Sequence, residues 1–142
     1  MSNSLHYSIT SADYNSFTLN ILIMFLQLSH TKLGIFQASK SLTLECYKIT
    51  KDFPQDEKYA MVQQIRRAAL SVHLNIAEGC SRKSLAERKR YFEIARGSVI
   101  EIDTALDMAI DLKYCSFENL NQTGEIITST FKQLTGLISA HN

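Results

Sequence analysis

The chain has 142 residues, 45% hydrophobic and 20% charged, with a formal net charge of +1. That length suits one domain with a sizeable core, and the composition excludes a disordered or fibrous chain. Five Gly and one Pro are too few for the turns of an all-β fold, and three scattered Cys (Cys46, Cys80, Cys115) form neither a disulfide framework nor a zinc motif.

Residues 18–28 are the most apolar run. They are too short to span a bilayer, and no Lys or Arg precedes them as in a secretory signal. Three readings stay open: a short extra helix, a frayed tail, or an extension upstream of a true start at Met24. Regular periodicity begins near Leu33, so residues 1–31 read as an extension and 32–142 as the domain. Reduced thiols and the lack of a spanning segment point to the cytoplasm, with no membrane partner.

The first helix is predicted over residues 33–51, on the stripe Ile35, Ala38, Leu42, Cys46 and Ile49. It stops at Phe53-Pro54, because the residue before Pro is pushed out of the α region. Pro54 suits the first turn of the next helix.

The second helix is predicted over 55–78, with Gly79 as a left-handed C-terminal cap. Gln64, Arg67, Ser71, Asn75 and Glu78 fall on one narrow polar stripe at about 100° per residue. Ile65, Ala68, Ala69, Val72 and Ile76 flank it on one side, and Leu70, Leu74 and Ala77 on the other. Only a wedge around Arg66 and His73 is left for water. Such a helix is expected to be buried on more than one side, with its polar stripe partly buried and paired.

The third helix opens with Ser84-Leu85-Ala86-Glu87, a capping box, and runs to Lys113. Phe92, Ala95, Val99, Ile102, Leu106 and Ala109 repeat at three-four spacing, as in a left-handed bundle. A second row, Tyr91, Ile94, Ala105, Met108 and Leu112, gives more apolar arc than one neighbour needs. Gly97-Ser98 in mid-helix points to close approach of another helix. The fourth helix is predicted over 117–139 on Phe117, Leu120, Gly124, Ile127, Phe131, Leu134 and Ile138, with Ser116 as N-cap. Short loops between long helices imply an all-α, antiparallel up-down-up-down four-helix bundle.

This topology polarises the charge. Residues 66–96 hold eight basic and three acidic side chains. Arg82, Lys83, Arg88, Lys89 and Arg90 gather at the turn between helices two and three. Asp52, Asp56, Glu57, Asp107, Asp111 and Glu118 gather at the opposite pole. Basic residues near the start of the third helix oppose its macrodipole, at roughly 0.3–1 kcal/mol for a charge in the terminal turn. Helix stability alone would not select them. The five basic residues are therefore the candidate nucleic-acid-binding residues, able to contact phosphates without reading sequence. A solvated helix end is the competing reading.

Several stretches together are specific. They are Gln63-Gln64-Ile65-Arg66-Arg67-Ala68-Ala69-Leu70-Ser71-Val72-His73-Leu74-Asn75-Ile76-Ala77-Glu78-Gly79, Ser81-Arg82, and Tyr91-Phe92-Glu93-Ile94-Ala95-Arg96-Gly97-Ser98-Val99-Ile100-Glu101. With Phe36-Gln37-Ala38, Phe53-Pro54 and Leu134-Thr135-Gly136-Leu137-Ile138, they resemble the small four-helix-bundle proteins encoded in intervening sequences of bacterial 23S ribosomal RNA genes. The resemblance covers residues 33–139. It implies a homo-oligomer, usually a pentameric ring. It also implies kinship with the accessory protein of diversity-generating retroelements, and so an RNA, a reverse transcriptase or another nucleic-acid enzyme as partner. Phe36 stands where Trp or Tyr is common, His73 stands inside the helix-two motif, and residues 1–31 have no counterpart.

Arg67, Asn75, Glu78, Ser98 and Glu101 match the family's signature polar positions, and Ser71 shares their stripe. One reading makes them a catalytic or RNA-binding centre. The favoured one makes them a structural polar network that fixes helix register or a subunit interface. No catalytic residue, metal ligand or cofactor motif is identified; P-loop, GxGxxG, HExxH and GxSxG patterns are absent. His73 reads as a surface or interface histidine, the cysteines as inert, and Tyr91 as core. The expected function is a non-enzymatic oligomeric bundle with a nucleic-acid-associated basic pole; the alternative is a protein scaffold that touches no nucleic acid.

Overall fold

The computed structural model describes Leu26 and residues 28–140. The readings for residues 1–25, including Met24 as the start, lie outside the described residues. Four helices carry the fold: α1 (Gly34–Ile49), α2 (Met61–Ser81), α3 (Leu85–Asp111) and α4 (Asn121–Ala140). Short 3-10 turns at Ser29–Lys32, Thr50–Asp52, Gln55–Glu57 and Glu118–Leu120 link or introduce them. Among the described residues there is no strand, and no helix is long and apolar enough to cross a membrane.

Side-chain pairs fix the directions. Ser39 meets His73, Thr43 donates to the carbonyl of Ala69, and Arg66 donates to Thr50, so α1 and α2 run antiparallel. Gln64 bonds Glu101 and Ser98 donates to Ser71, so α2 and α3 do too. α4 packs between α3 and α1, which closes the bundle. Each helix contributes fully buried side chains: Leu42 and Cys46 from α1, Ile65, Val72 and Ile76 from α2, Ile102 from α3 and Leu134 from α4. Burying one such Leu or Ile contributes about 1.5–3 kcal/mol.

Several boundaries differ from the sequence reading, each for a local reason. α2 starts at Met61, six residues late, because Ala60 before it has non-helical angles (φ -116°, ψ -104°); the Glu57 carboxylate accepts the Met61 amide (3.1 Å) at that start. At its other end Gly79 is no left-handed cap: among the described residues no glycine has positive φ, and α2 continues to Ser81. Gly79 is needed for closeness instead. A Cβ there would lie 2.8 Å from Cε1 of Phe92 and 3.2 Å from Cβ of Tyr91. Gly97 shows the reverse. It is exposed, and a Cβ would meet nothing within 4 Å, so no helix among the described residues comes close to it.

The left-handed cap belongs to α3. Lys113 has φ 61°. Its amide donates to Ile110 (2.9 Å) and that of Tyr114 to Ala109 (2.9 Å), the two bonds of a Schellman motif. At the start of α3, Ser84 accepts the amide of Glu87, as the capping box requires of it. Ser116 likewise accepts the Asn119 amide, at 3.3 Å, ahead of α4.

α4 is rotated relative to the predicted stripe. Leu120, Ile127, Leu134 and Ile138 are buried as expected, but Thr123 and Thr130 share the interior with them. Phe117 is 69% exposed, Gly124 is exposed, and Phe131 lies at the edge of exposure. Phe117 and Gly124 line an open groove between α3 and α4, and Phe131 lines a smaller hollow beside it, rather than the core.

Candidate nucleic-acid interface

The basic pole is a tight turn between two long helices, and its geometry starts from Gly79. Without a side chain there, the Phe92 ring seats against the last turn of α2, and Arg82 begins the turn only three residues beyond the glycine. The Arg82 amide donates to the Gly79 carbonyl, 3.2 Å.

Arg82 then folds back. Its guanidinium pairs with the Glu78 carboxylate, lies 5.2 Å from the centre of the Tyr91 ring, and donates to the Tyr91 hydroxyl at 3.2 Å. Partial burial works against its charge, but Glu78 and Tyr91 outweigh that and raise its pKa. Arg88 reaches back across the turn and donates from Nε to the Arg82 carbonyl, 2.6 Å. Arg82 and Arg88 thus brace the turn. Lys83 and Arg90 are exposed, while Lys89 is half-buried and engaged within the protein. The structure therefore gathers all five predicted basic residues at one pole but divides them between brace and surface. Sequence reasoning missed the brace. Its signal was the spacing Glu78-x3-Arg82, an i,i+4 pair across the end of a helix.

Beneath the turn, Cys80 and Arg88 share a hollow with Ser29, His30, Leu33, Phe92 and Leu137. Burial raises the Cys80 thiol pKa, with Arg88 pulling the other way. Cys46, in the core, is pushed up to about 12 by burial and then by Glu45. All three cysteines are free thiols. Among the described residues no group of three His, Cys, Asp or Glu could hold a metal ion.

The polar stripe of α2 lies along the seam with α3. Ser98 is buried and donates to the Ser71 hydroxyl, 2.9 Å. Asn75 donates to the Ser71 carbonyl (2.8 Å) and hydroxyl (3.1 Å), and Gln64 bonds Glu101. Ser71, Asn75 and Ser98 therefore come together. Glu78 turns to Arg82 instead, and Glu101 sits at the exposed end of the seam. Arg67 is not brought in: it is exposed, with no hydrogen bond or ion pair to another described residue. The water-facing side of α2 is the side of Arg67, Leu70 and Leu74, not the wedge of Arg66 and His73.

That wedge packs on α1. Arg66 donates to Thr50 (2.9 Å) over the Tyr47 ring (4.8 Å). His73 stacks on Phe36 at 4.3 Å and shares a 2.8 Å hydrogen bond between its Nδ1 and Ser39 Oγ. Burial, then Lys40 and His30, lower its pKa. At the opposite pole the Tyr114 hydroxyl donates to Glu57 (2.8 Å), which raises the tyrosine pKa.

Comparison with curated proteins gives no match. Among solved structures, a protein of unknown function from the S23 ribosomal protein family of Bacteroides thetaiotaomicron is similar, with a TM-score of 0.66 and 22% identity. The match covers 73% of this chain and 97% of that one, and at this identity it shows the fold alone. A family model described as 23S rRNA-intervening sequence protein matches residues 31–136. With both long motifs inside that span, the chain belongs to the 23S rRNA-intervening sequence protein family.

Proposed function

We propose that this chain is a non-enzymatic helical bundle of the cytoplasm that self-associates and contacts RNA or a ribonucleoprotein through the pole at the α2–α3 turn. One observation carries the reading. Arg82 and Arg88 are consumed in bracing the turn, and Lys83 and Arg90 are held outward on it. A rigid turn presenting cations is a phosphate-contacting surface that needs no base readout. Resemblance to the accessory protein of diversity-generating retroelements makes a reverse transcriptase or another nucleic-acid enzyme the expected protein partner.

Self-association rests on the outer faces of α2 and α3. Leu74 is 61% and Ile100 51% exposed there, beside Leu70 and Ile94. Gly97 stands among them with open space above it, where a second copy's helix could approach closely. A ring, pentameric by resemblance, would repeat the basic pole around an axis and multiply its field. The second reading is a protein scaffold without nucleic acid, favoured by the same apolar faces. Titration of a labelled structured RNA across a salt series tests the choice: binding that ignores salt, or none, supports the scaffold.

A further inference from the structure

We infer that the open groove between α3 and α4 docks a basic amphipathic helix of a partner protein, its apolar side against α4 and its Lys or Arg side chains toward Asp103, Asp107 and Glu125. The site stands apart from the basic pole: none of Arg82, Lys83, Arg88, Lys89 and Arg90 lines it.

α4 itself points to a helical occupant. Its three-four row of apolar and small residues splits in two. Leu120, Ile127 and Leu134 turn into the core, while Phe117, Gly124 and Phe131, seven residues apart, turn outward. Apolar residues at both sets of positions are what a helix carries when it packs between two neighbours. Here the outward set has no neighbour among the described residues. Phe117 is 69% exposed at one end, and a Cβ on Gly124 would meet nothing within 4 Å in the middle. Two aromatic anchors with a glycine between them let a second helix come close where the glycine stands.

The hollow is long rather than round. The groove has a volume of about 920 Å3, and the smaller hollow that holds Phe131 continues it, sharing Asp103, Ile127, Thr128 and Lys132 with it. From Phe117 to Phe131 it follows α4 for about 21 Å, which is about four turns of a docked helix. Its wall also lacks a polar partner. Thr130 and Thr123 are both fully buried on α4. Thr130 donates to the Ile126 carbonyl, 2.7 Å, but the Thr123 hydroxyl, in the groove lining, has no hydrogen-bond partner among the described residues. A polar group of the occupant at that level would satisfy it.

Charge decides the partner's chemistry. Asp103 and Asp107 stand one turn apart on α3, and Glu125 stands on α4; all three line the groove and are exposed. None has a hydrogen bond or ion pair with another described residue. Like charges four residues apart on a helix repel, so Asp103 and Asp107 work against α3 until a cation reaches them. Lys132 is the one basic side chain among the described residues of the lining. A second copy of this chain is the poorer match. The exposed apolar face of its α2, with Leu70 and Leu74, carries one unpaired cation, Arg67, against three carboxylates.

Binding of a synthetic helix to the full chain tests the inference. The probe is a labelled peptide of about sixteen residues, with Leu at three-four spacing, Lys beside the Leu face and Ala behind it. Its control carries Glu in place of Lys. Anisotropy is expected to show saturable one-to-one binding of the Lys peptide that weakens with salt, and at least tenfold weaker binding of the Glu peptide. Gly124→Gln, which fills the groove at an open helical position, and Asp103→Lys with Asp107→Lys should each weaken the Lys peptide at least tenfold. Asp52→Lys with Asp56→Lys, the same charge change on exposed residues outside the groove, should leave binding within twofold. Thermal melts confirm that each variant is folded. No binding, equal binding of the two peptides, or an equal effect of the charge change inside and outside the groove would overturn the inference. So would a fall in assembly mass on Asp103→Lys with Asp107→Lys in the absence of peptide, which would place a second copy in the groove.

Discussion

The alpha carbon of Gly79 and the ring of Phe92 are so close that a methyl group on the first would sit 2.8 Å from Cε1 of the second. Phe92 is buried, and the Cβ of Tyr91, 3.2 Å away, is fixed to the backbone of α3, so neither neighbour yields cheaply. Gly79→Ala gains roughly 0.5–1 kcal/mol of helix propensity but meets an overpacking cost of about 1–3 kcal/mol. We expect net destabilisation of about 1 kcal/mol. Gly97→Ala, with no described atom within 4 Å in the single chain, keeps only the gain when both variants are made in the Leu70→Glu, Leu74→Glu background, where no second copy packs on it. Urea denaturation of the two variants should give midpoint shifts of opposite sign; shifts of the same sign contradict this account.

The αL conformation of Lys113 supplies a second stability test. A residue with a Cβ pays about 1–2 kcal/mol for this conformation, and glycine does not. Lys113→Gly is expected to stabilise by about 0.5–1 kcal/mol once the greater freedom of unfolded glycine is subtracted. A thermal melt that moves upward by a few degrees agrees, and a downward shift does not.

His73 makes the bundle pH-sensitive. Its folded pKa is lowered below 6.5 by burial, then by Lys40 and His30. The unfolded chain therefore binds the proton more readily. The stabilisation is fully present above pH 6.5 and is lost as the pH falls toward the folded pKa. Melting temperature should decline across that window, and His73→Gln should flatten the decline. An unchanged slope in the variant would contradict the assignment to His73.

Self-association is expected to depend on the outer face of α2. Leu70→Glu with Leu74→Glu adds two charges to side chains already exposed in the single chain, so folding should survive while assembly fails. Sedimentation equilibrium would show a fall to monomer mass with unchanged helical content. An unaltered assembly would move the interface elsewhere.

Much of the fold was legible in the residues, and the misses have identifiable causes. The row from Phe92 to Ala109 is buried throughout because every member is apolar, so periodicity and burial coincide. α4 broke that link. Thr123 and Thr130 are small enough to enter the core, while Phe117 and Phe131 turn toward the groove, and apolar spacing alone cannot detect such a rotation. Gly79 ends a helical pattern whether it serves as a cap or as a close contact; only the position of Phe92 distinguishes the two. The basic pole was visible as a charge run. Its division into bracing and outward residues depends on carbonyl and ring positions that no spacing encodes.

The central claim, a basic pole that contacts nucleic acid, is tested most directly by anisotropy of a labelled structured RNA across a salt series. The comparison is between the unaltered chain and Lys83→Glu with Arg90→Glu, which leaves the bracing Arg82 and Arg88 in place. The account predicts binding that weakens steeply with salt, and a variant that melts as before but binds at least tenfold more weakly with a shallower salt slope. Equal binding by both proteins, or none by a folded assembly at low salt, would contradict it.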